Sequence, residues 1–137
     1  MAKGSGLAWT TLSVDDSGGS VEVIKNDVQS FQFAMPRGVL DITGVDKSAI
    51  ERLLLLADFS ITLTTTAINF ASTPSFWDVF HTVPSTSVAR TTTLVFAGKT
   101  IAPEVLYTDF NVTRGQDGSL GASVPGVLAD GTVPTWA

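Results

Sequence analysis

Short runs of alternating apolar and polar residues, broken about every dozen positions by Gly, Pro, Asn or Asp, set the rhythm of this chain. That spacing predicts an all-β sandwich or barrel. Leu7 to Val14 reads as a first strand and ends in the polar loop Asp15-Asp16-Ser17-Gly18-Gly19-Ser20. Val21 to Lys25 follows. Phe31, Phe33 and Met35 then alternate with Ser30, Gln32 and Ala34, so one face is buried. Pro36-Arg37-Gly38 interrupts this run before Val39 to Thr43 resumes it. Phe59, Ile61 and Leu63 alternate with Ser60, Thr62 and Thr64, after which the apolar phase shifts to Ile68 and Phe70. A one-residue shift marks a bulge or a strand end. Thr91 to Ala97 is rich in β-branched and aromatic side chains and predicts a strand. Gly98-Lys99 turns it into Thr100-Ile101. Leu106, Phe110 and Val112 predict one further strand reaching the Asp117-Gly118 turn, with Leu120, Ala122 and Val124 returning from it. Asp130-Gly131 supplies a last turn before Pro134-Thr135-Trp136.

Two segments carry helical signals. Ser48 and Glu51 have capping-box spacing, and Ile50, Leu53, Leu54 and Ala57 fall on one helical stripe, predicting a short helix over about 48–57. Ser75 and Asp78 suit the start of a second short helix, about 75–82, carrying Phe76, Val79 and Phe80.

Composition changes this picture in one respect. The chain has 137 residues, room for a single domain over 1–137, yet only 15% are charged, against about 25% in an average soluble protein. So little charge on so small a domain implies surface that other chains cover, the alternative being a β domain solvated by its many Ser and Thr. The net charge of −5 and the scattered Lys and Arg leave no footprint for binding phosphates. The absence of Cys excludes disulfides, thiol catalysis and thiolate metal sites. Met1 to Gly6 lacks the apolar stretch of a signal peptide, and no apolar run approaches membrane-spanning length. These features predict a protein made in a cytoplasm and soluble until it assembles.

Catalytic chemistry finds little support. His81 is the only histidine, without a Gly-x-Ser-x-Gly elbow to accompany it, and reads as a packing or interface residue. Asp15-Asp16 lacks calcium-loop spacing and reads as a solvated turn. The expectation is a non-enzyme that binds no cofactor and no metal.

The middle of the chain resembles a known family. Asn26-Asp27-Val28-Gln29-Ser30-Phe31 precedes Leu40-Asp41-Ile42-Thr43-Gly44-Val45-Asp46-Lys47-Ser48-Ala49, then a Thr-rich strand ends at Asn69-Phe70, and Asp78-Val79-Phe80 follows. This order, with its Asp-x-Thr-x-x-Asp segment, resembles the major tail tube proteins of long-tailed (siphovirus-like) bacteriophages. Arg114 through Asp117-Gly118, Asp130-Gly131 and Pro134-Thr135-Trp136 are similar to the ends of such chains.

The resemblance implies a β-sandwich or barrel of the phage tail tube type flanked by a helix. It implies subunits joined into a ring, normally hexameric, with inner strands that form one continuous barrel. Stacked rings make a hollow tube in the virion tail, which passes double-stranded DNA without binding it specifically. Implied partners are further copies of the chain and other tail proteins (tape measure, terminator, baseplate or tip), with no membrane. An acidic lumen would repel phosphate; Glu22, Asp27, Asp41 and Asp109, each in or beside a predicted strand, are the candidates. Candidate contacts between subunits or rings are Asp15 and Asp16, Pro103 and Glu104, Arg114 and Asp117, and Trp136. Two alternatives stand beside this reading: a head–tail completion or tail terminator ring, and a monomeric β-sandwich carbohydrate-binding module.

Overall fold

Wherever alternation is clean the chain forms a strand. A computed structural model describes residues 4–71 and 74–137, leaving Met1 to Lys3 of the leading segment outside the described residues. The strands are β1 (Trp9–Asp15), β2 (Val21–Val23), β3 (Ser30–Ala34), β4 (Arg37–Asp41), β5 (Arg52–Ala57) and β6 (Ser60–Thr65). Helix α1 (Phe76–Phe80) follows, then β7 (Arg90–Phe96), β8 (Lys99–Ile101), β9 (Glu104–Tyr107), β10 (Asn111–Arg114) and β11 (Leu120–Leu128).

Among the described residues nine strands form one antiparallel sheet in the order β2-β1-β7-β9-β11-β6-β3, with β8 beside β7 and β10 beside β11. The sheet folds over on itself, so that β3 faces β1 and β7. Trp9 on β1 lies 4.7 Å from Phe31 on β3, ring centre to ring centre, and Phe96 on β7 lies 5.8 Å from Phe31. Between the curled halves sits one apolar cluster containing Leu12, Val14, Phe59, Ile61, Leu63, Leu94, Val105 and Val124. Phe59, Ile61 and Leu63 are buried as their alternation predicts, and so are Ala122 and Val124.

Helix α1 agrees with its sequence signal. The Ser75 hydroxyl accepts from the Asp78 amide, and Phe76, Val79 and Phe80 are buried. Phe80 meets Tyr107 edge-on at 5.0 Å, and Phe76 meets Phe110 at 6.0 Å, so packing holds a helix too short to persist alone.

The helix predicted over 48–57 is not formed. Residues 52–57 are β5, which pairs with β4 through Leu40↔Leu53, Val39↔Leu54 and Asp41↔Arg52. The capping-box partners have other roles: the Glu51 amide donates to the Thr43 hydroxyl at 2.8 Å, and the Glu51 carbonyl accepts from the Ile42 amide. The run Leu53-Leu54-Leu55-Leu56 is apolar at every position, so it satisfies a helical stripe and a strand equally. Pairing with Arg37 to Asp41 decides between them.

Two smaller corrections follow the same logic. The single strand expected from Leu106 to Val112 is two strands, because Thr108 to Phe110 form a loop between β9 and β10. Both pair with the same side of β11, at its two ends. The phase shift after Thr64 is a strand end: β6 stops at Thr65, and Ala67 makes a lone bridge to Leu120. The tail after Asp130-Gly131 adds no strand; it folds back so that Ala137 exchanges two backbone hydrogen bonds with Thr100, each 2.8 Å.

Candidate assembly surfaces

The β4–β5 hairpin is an arm. β3 and β6, which flank the hairpin in the chain, pair from Ser30↔Thr64 to Ala34↔Ser60, and beyond a joint at Pro36 and Asp58 the same two segments run on as β4 and β5. The Asp58 amide donates to the Pro36 carbonyl at 2.9 Å across that joint. Every residue from Ala34 to Leu56 is exposed. Val39 with Leu54 occupies one face of the arm and Leu40 with Leu53 the other, while Leu56 is 93% exposed. Apolar side chains on both faces of a free two-stranded ribbon require cover, since such a ribbon is marginal in water. Near the arm's far end the Asp41 carboxylate accepts from the Thr43 amide at 2.9 Å and from its hydroxyl at 2.5 Å. These bonds, the side-chain one first, lower the Asp41 carboxyl below its ordinary range.

The second surface is the outward face of four consecutive strands, β10-β11-β6-β3. Residues directly paired across strands share a face. One outward row therefore runs Ser30, Thr64, Ser123, Asn111, and the next runs Gln32, Thr62, Pro125. A third is Ala34, Ser60, Val127, and β10 adds Thr113 beside Gly121. No Asp, Glu, Lys or Arg stands on any of these rows. Pro125 is tolerated in a central strand because it stands opposite the 108–110 loop, where its carbonyl accepts from Thr108 and no amide is required. Gly121 is required, since a Cβ there would come within 2.8 Å of the Thr65 carbonyl oxygen.

The sheet edges differ in their defences. β2 is three residues long and turns a carboxylate inward, for Glu22 is only 8% exposed. Short edges and inward charges discourage pairing with other chains. Burial first, then Asp16 and Asp78, pushes the Glu22 carboxyl above its ordinary range. β3 and β10 stand at the opposite ends of the four-strand face; β10 is short and carries Arg114 at its end, while β3 has no such device. β3 reads Ser-Phe-Gln-Phe-Ala without a charge or proline, and all four residues of β10 are exposed.

The remaining candidate residues are scattered. Asp27 belongs to the interior: its carboxylate accepts from Asn69 Nδ2 at 3.1 Å and from the Phe76 amide at 3.1 Å, tying the Asn69-Phe70 corner to the start of α1. Asp109 is exposed in the loop between β9 and β10. Asp16 closes its own loop by accepting from the Gly18 and Ser20 amides, both at 2.9 Å. Pro103 is buried, and the Glu104 carboxylate accepts from the Thr91 hydroxyl. Arg114 and Asp117 are exposed at the β10–β11 tip, where Asp117 is held low by bonds from the Ser119 amide and hydroxyl. Trp136 packs on Phe33 and Phe96 with ring centres about 6 Å apart, yet stays 47% exposed.

Sequence reasoning missed Arg90, which is 1% exposed. Its guanidinium donates to the Val79 carbonyl near the end of α1 and to the Thr82 hydroxyl at 2.9 Å. An Arg opening a Thr-rich strand gives no linear sign of burial. His81 lies stacked on Trp77 at 4.0 Å, a packing arrangement, with Phe70 6.5 Å from Trp77. Among the described residues no three His, Asp or Glu side chains converge as a metal site requires, and no helix is long and apolar enough to cross a membrane.

No protein-family model matches the chain, and no curated protein matches it. Solved structures do. A chain from the tail of an empty gene transfer agent particle, refined with C6 symmetry, superposes with a TM-score of 0.71 at 13% identity, covering 99% of both chains. A chain in the virion of a native gene transfer agent particle superposes with a TM-score of 0.69 at 12% identity, again covering 99% of both chains. The fold is thus that of chains found in phage-like particles.

Proposed function

We propose that this chain is a structural virion protein: the repeating subunit of hexameric rings that stack into a hollow tail tube, through which DNA passes. The observation that carries the reading is the end-to-end match of its fold to a chain of a six-fold symmetric tail. The arm supports it independently. Its exposed leucines and valines have no cover within the subunit, and burying each against another copy contributes on the order of 1 kcal/mol. The whole of residues 1–137 acts as one assembly domain. Its role is mechanical rather than catalytic, and its place is the virion tail.

Among the finer assignments, the β10–β11 tip with Arg114 and Asp117, the Asp15-Asp16 loop and the exposed half of Trp136 are offered to neighbouring copies. Pro103 and Glu104 support β9 from within. Other tail proteins meet the two ends of the tube, where a ring has no further ring to cover its arms.

Negative-stain microscopy of the purified chain at rising concentration tests the proposal. Hollow tubes of stacked six-fold rings are the expected result. Isolated rings that never stack would favour a completion or terminator subunit, and a monomer at every concentration would reject the ring altogether.

A further inference from the structure

We propose that Asp130-Gly131 is a site of spontaneous covalent modification, where the aspartate closes onto the next amide and reopens as isoaspartate, and that the fold withholds the same chemistry from Asp117-Gly118. The step needs only water and no partner chain, so the inference stands apart from the ring reading.

The chemistry balances within the chain. The Gly131 amide nitrogen bonds to the Asp130 carboxyl carbon, and the amide proton leaves with the carboxyl hydroxyl as water. Water then opens the five-membered imide at either carbonyl. Opening at the main-chain carbonyl leaves the chain running through Cβ, longer by one bond, about 1.5 Å. Glycine favours the closure because it has no Cβ to shield its amide. The sequence holds two Asp-Gly pairs and no Asn-Gly.

The two pairs are treated differently by the fold. At the β10–β11 tip the Asp117 carboxylate accepts from the Ser119 amide at 3.0 Å and from its hydroxyl at 2.7 Å. The Gly118 amide, the nucleophile required, donates to the Gly115 carbonyl at 3.1 Å, and the Gly115 amide donates back to Ser119 at 2.8 Å. The bonds from Ser119 also hold the Asp117 carboxyl low, which depletes the acid form that loses water. Asp130 is exposed and accepts only from the Thr132 amide at 3.0 Å, a bond that keeps its carboxyl folded toward the Gly131 peptide. Among the described residues the Gly131 amide has no acceptor, and nothing stands within 4 Å of the place its Cβ would take.

The site also stands where added length matters. The closing segment is fixed ahead of it by the Ala129 amide on the Glu104 carbonyl at 2.9 Å, and beyond it by Trp136 and the Ala137–Thr100 pair. Between these anchors it arches over a cavity of about 250 Å³ with Glu104, Asp130 and Val133 in its walls. One extra bond there shifts the register of Trp136 and Ala137 against β7 and β8.

The purified chain is stored in neutral buffer made with heavy-oxygen water, and peptides are mapped by mass spectrometry that distinguishes isoaspartate. Each passage through the imide leaves one heavy oxygen at the residue. Label and isoaspartate are expected to accumulate at Asp130 at least about tenfold faster than at Asp117, the delay set by the hydrogen bonds that Asp117 and Gly118 must break. In urea the two rates should converge. Equal rates in the folded chain, or faster reaction at Asp117, overturn the site. An unchanged ratio in urea overturns the protection by the fold. Hydrogen exchange at the Thr100 amide, which donates to Ala137, should quicken in the aged chain but not in aged Asp130→Glu, whose longer side chain disfavours the ring. Unchanged exchange overturns the coupling to the closing segment.

Discussion

The Arg90 guanidinium replaces its water shell with the Val79 carbonyl and the Thr82 hydroxyl. Desolvation lowers its pKa from the ordinary value, partly offset by Tyr107, Asp16 and Asp15. Replacing it by Met keeps bulk but orphans a buried carbonyl, so Arg90→Met should cost about 2–4 kcal/mol in urea unfolding. Glu22 works in the opposite direction. Its folded pKa lies above the unfolded one, so its contribution is most favourable below the ordinary carboxylate range and is lost as pH rises through the folded value. Glu22→Gln should therefore melt higher than the parent at pH 7, with the gap closing on acidification. A parent that is the more stable at pH 7 would show that the carboxylate has a favourable partner.

At the scale of elements, the arm separates folding from assembly. Its leucines make no contribution to the central core, which is lined by Leu12, Phe59, Leu63, Leu94 and Val124. Leu54→Asp together with Leu56→Asp should leave the β signal in circular dichroism and shift the body's stability by no more than about 1 kcal/mol. The same pair should abolish tubes in the microscope. Tubes in normal yield would show that the arm does not join subunits. The helix expected here illustrates where linear patterns fail: four consecutive leucines carry no period. The α1 signal succeeded because a serine cap and a spaced aromatic stripe were both present, and the fold buries that stripe.

Across the whole molecule, few charges and many exposed apolar side chains make assembly a hydrophobic event. Raising NaCl from about 0.05 to about 0.5 M screens the repulsion between copies carrying −5 each. Tube yield should hold constant or rise over that range, as measured by light scattering. A fall of several-fold would instead assign the contacts to ion pairs, with Arg114 and Asp117 the first to examine.

The β class, the scarcity of charge, the turns at Gly98, Gly118 and Gly131, and the inward phase of β3, β6 and β11 were legible in the chain, because each depends on neighbours close in sequence. Local chemistry specifies a turn, and a period of two specifies which side of a strand is wet. The arm, the buried Arg90 and the inner duty of Asp27 were decided only by tertiary structure. Each depends on a partner far along the chain: Leu54 on Val39, Arg90 on Val79, Asp27 on Asn69 and Phe76. So does the neutral four-strand face, whose rows combine residues from 30 to 127 and become one surface only when the sheet has formed.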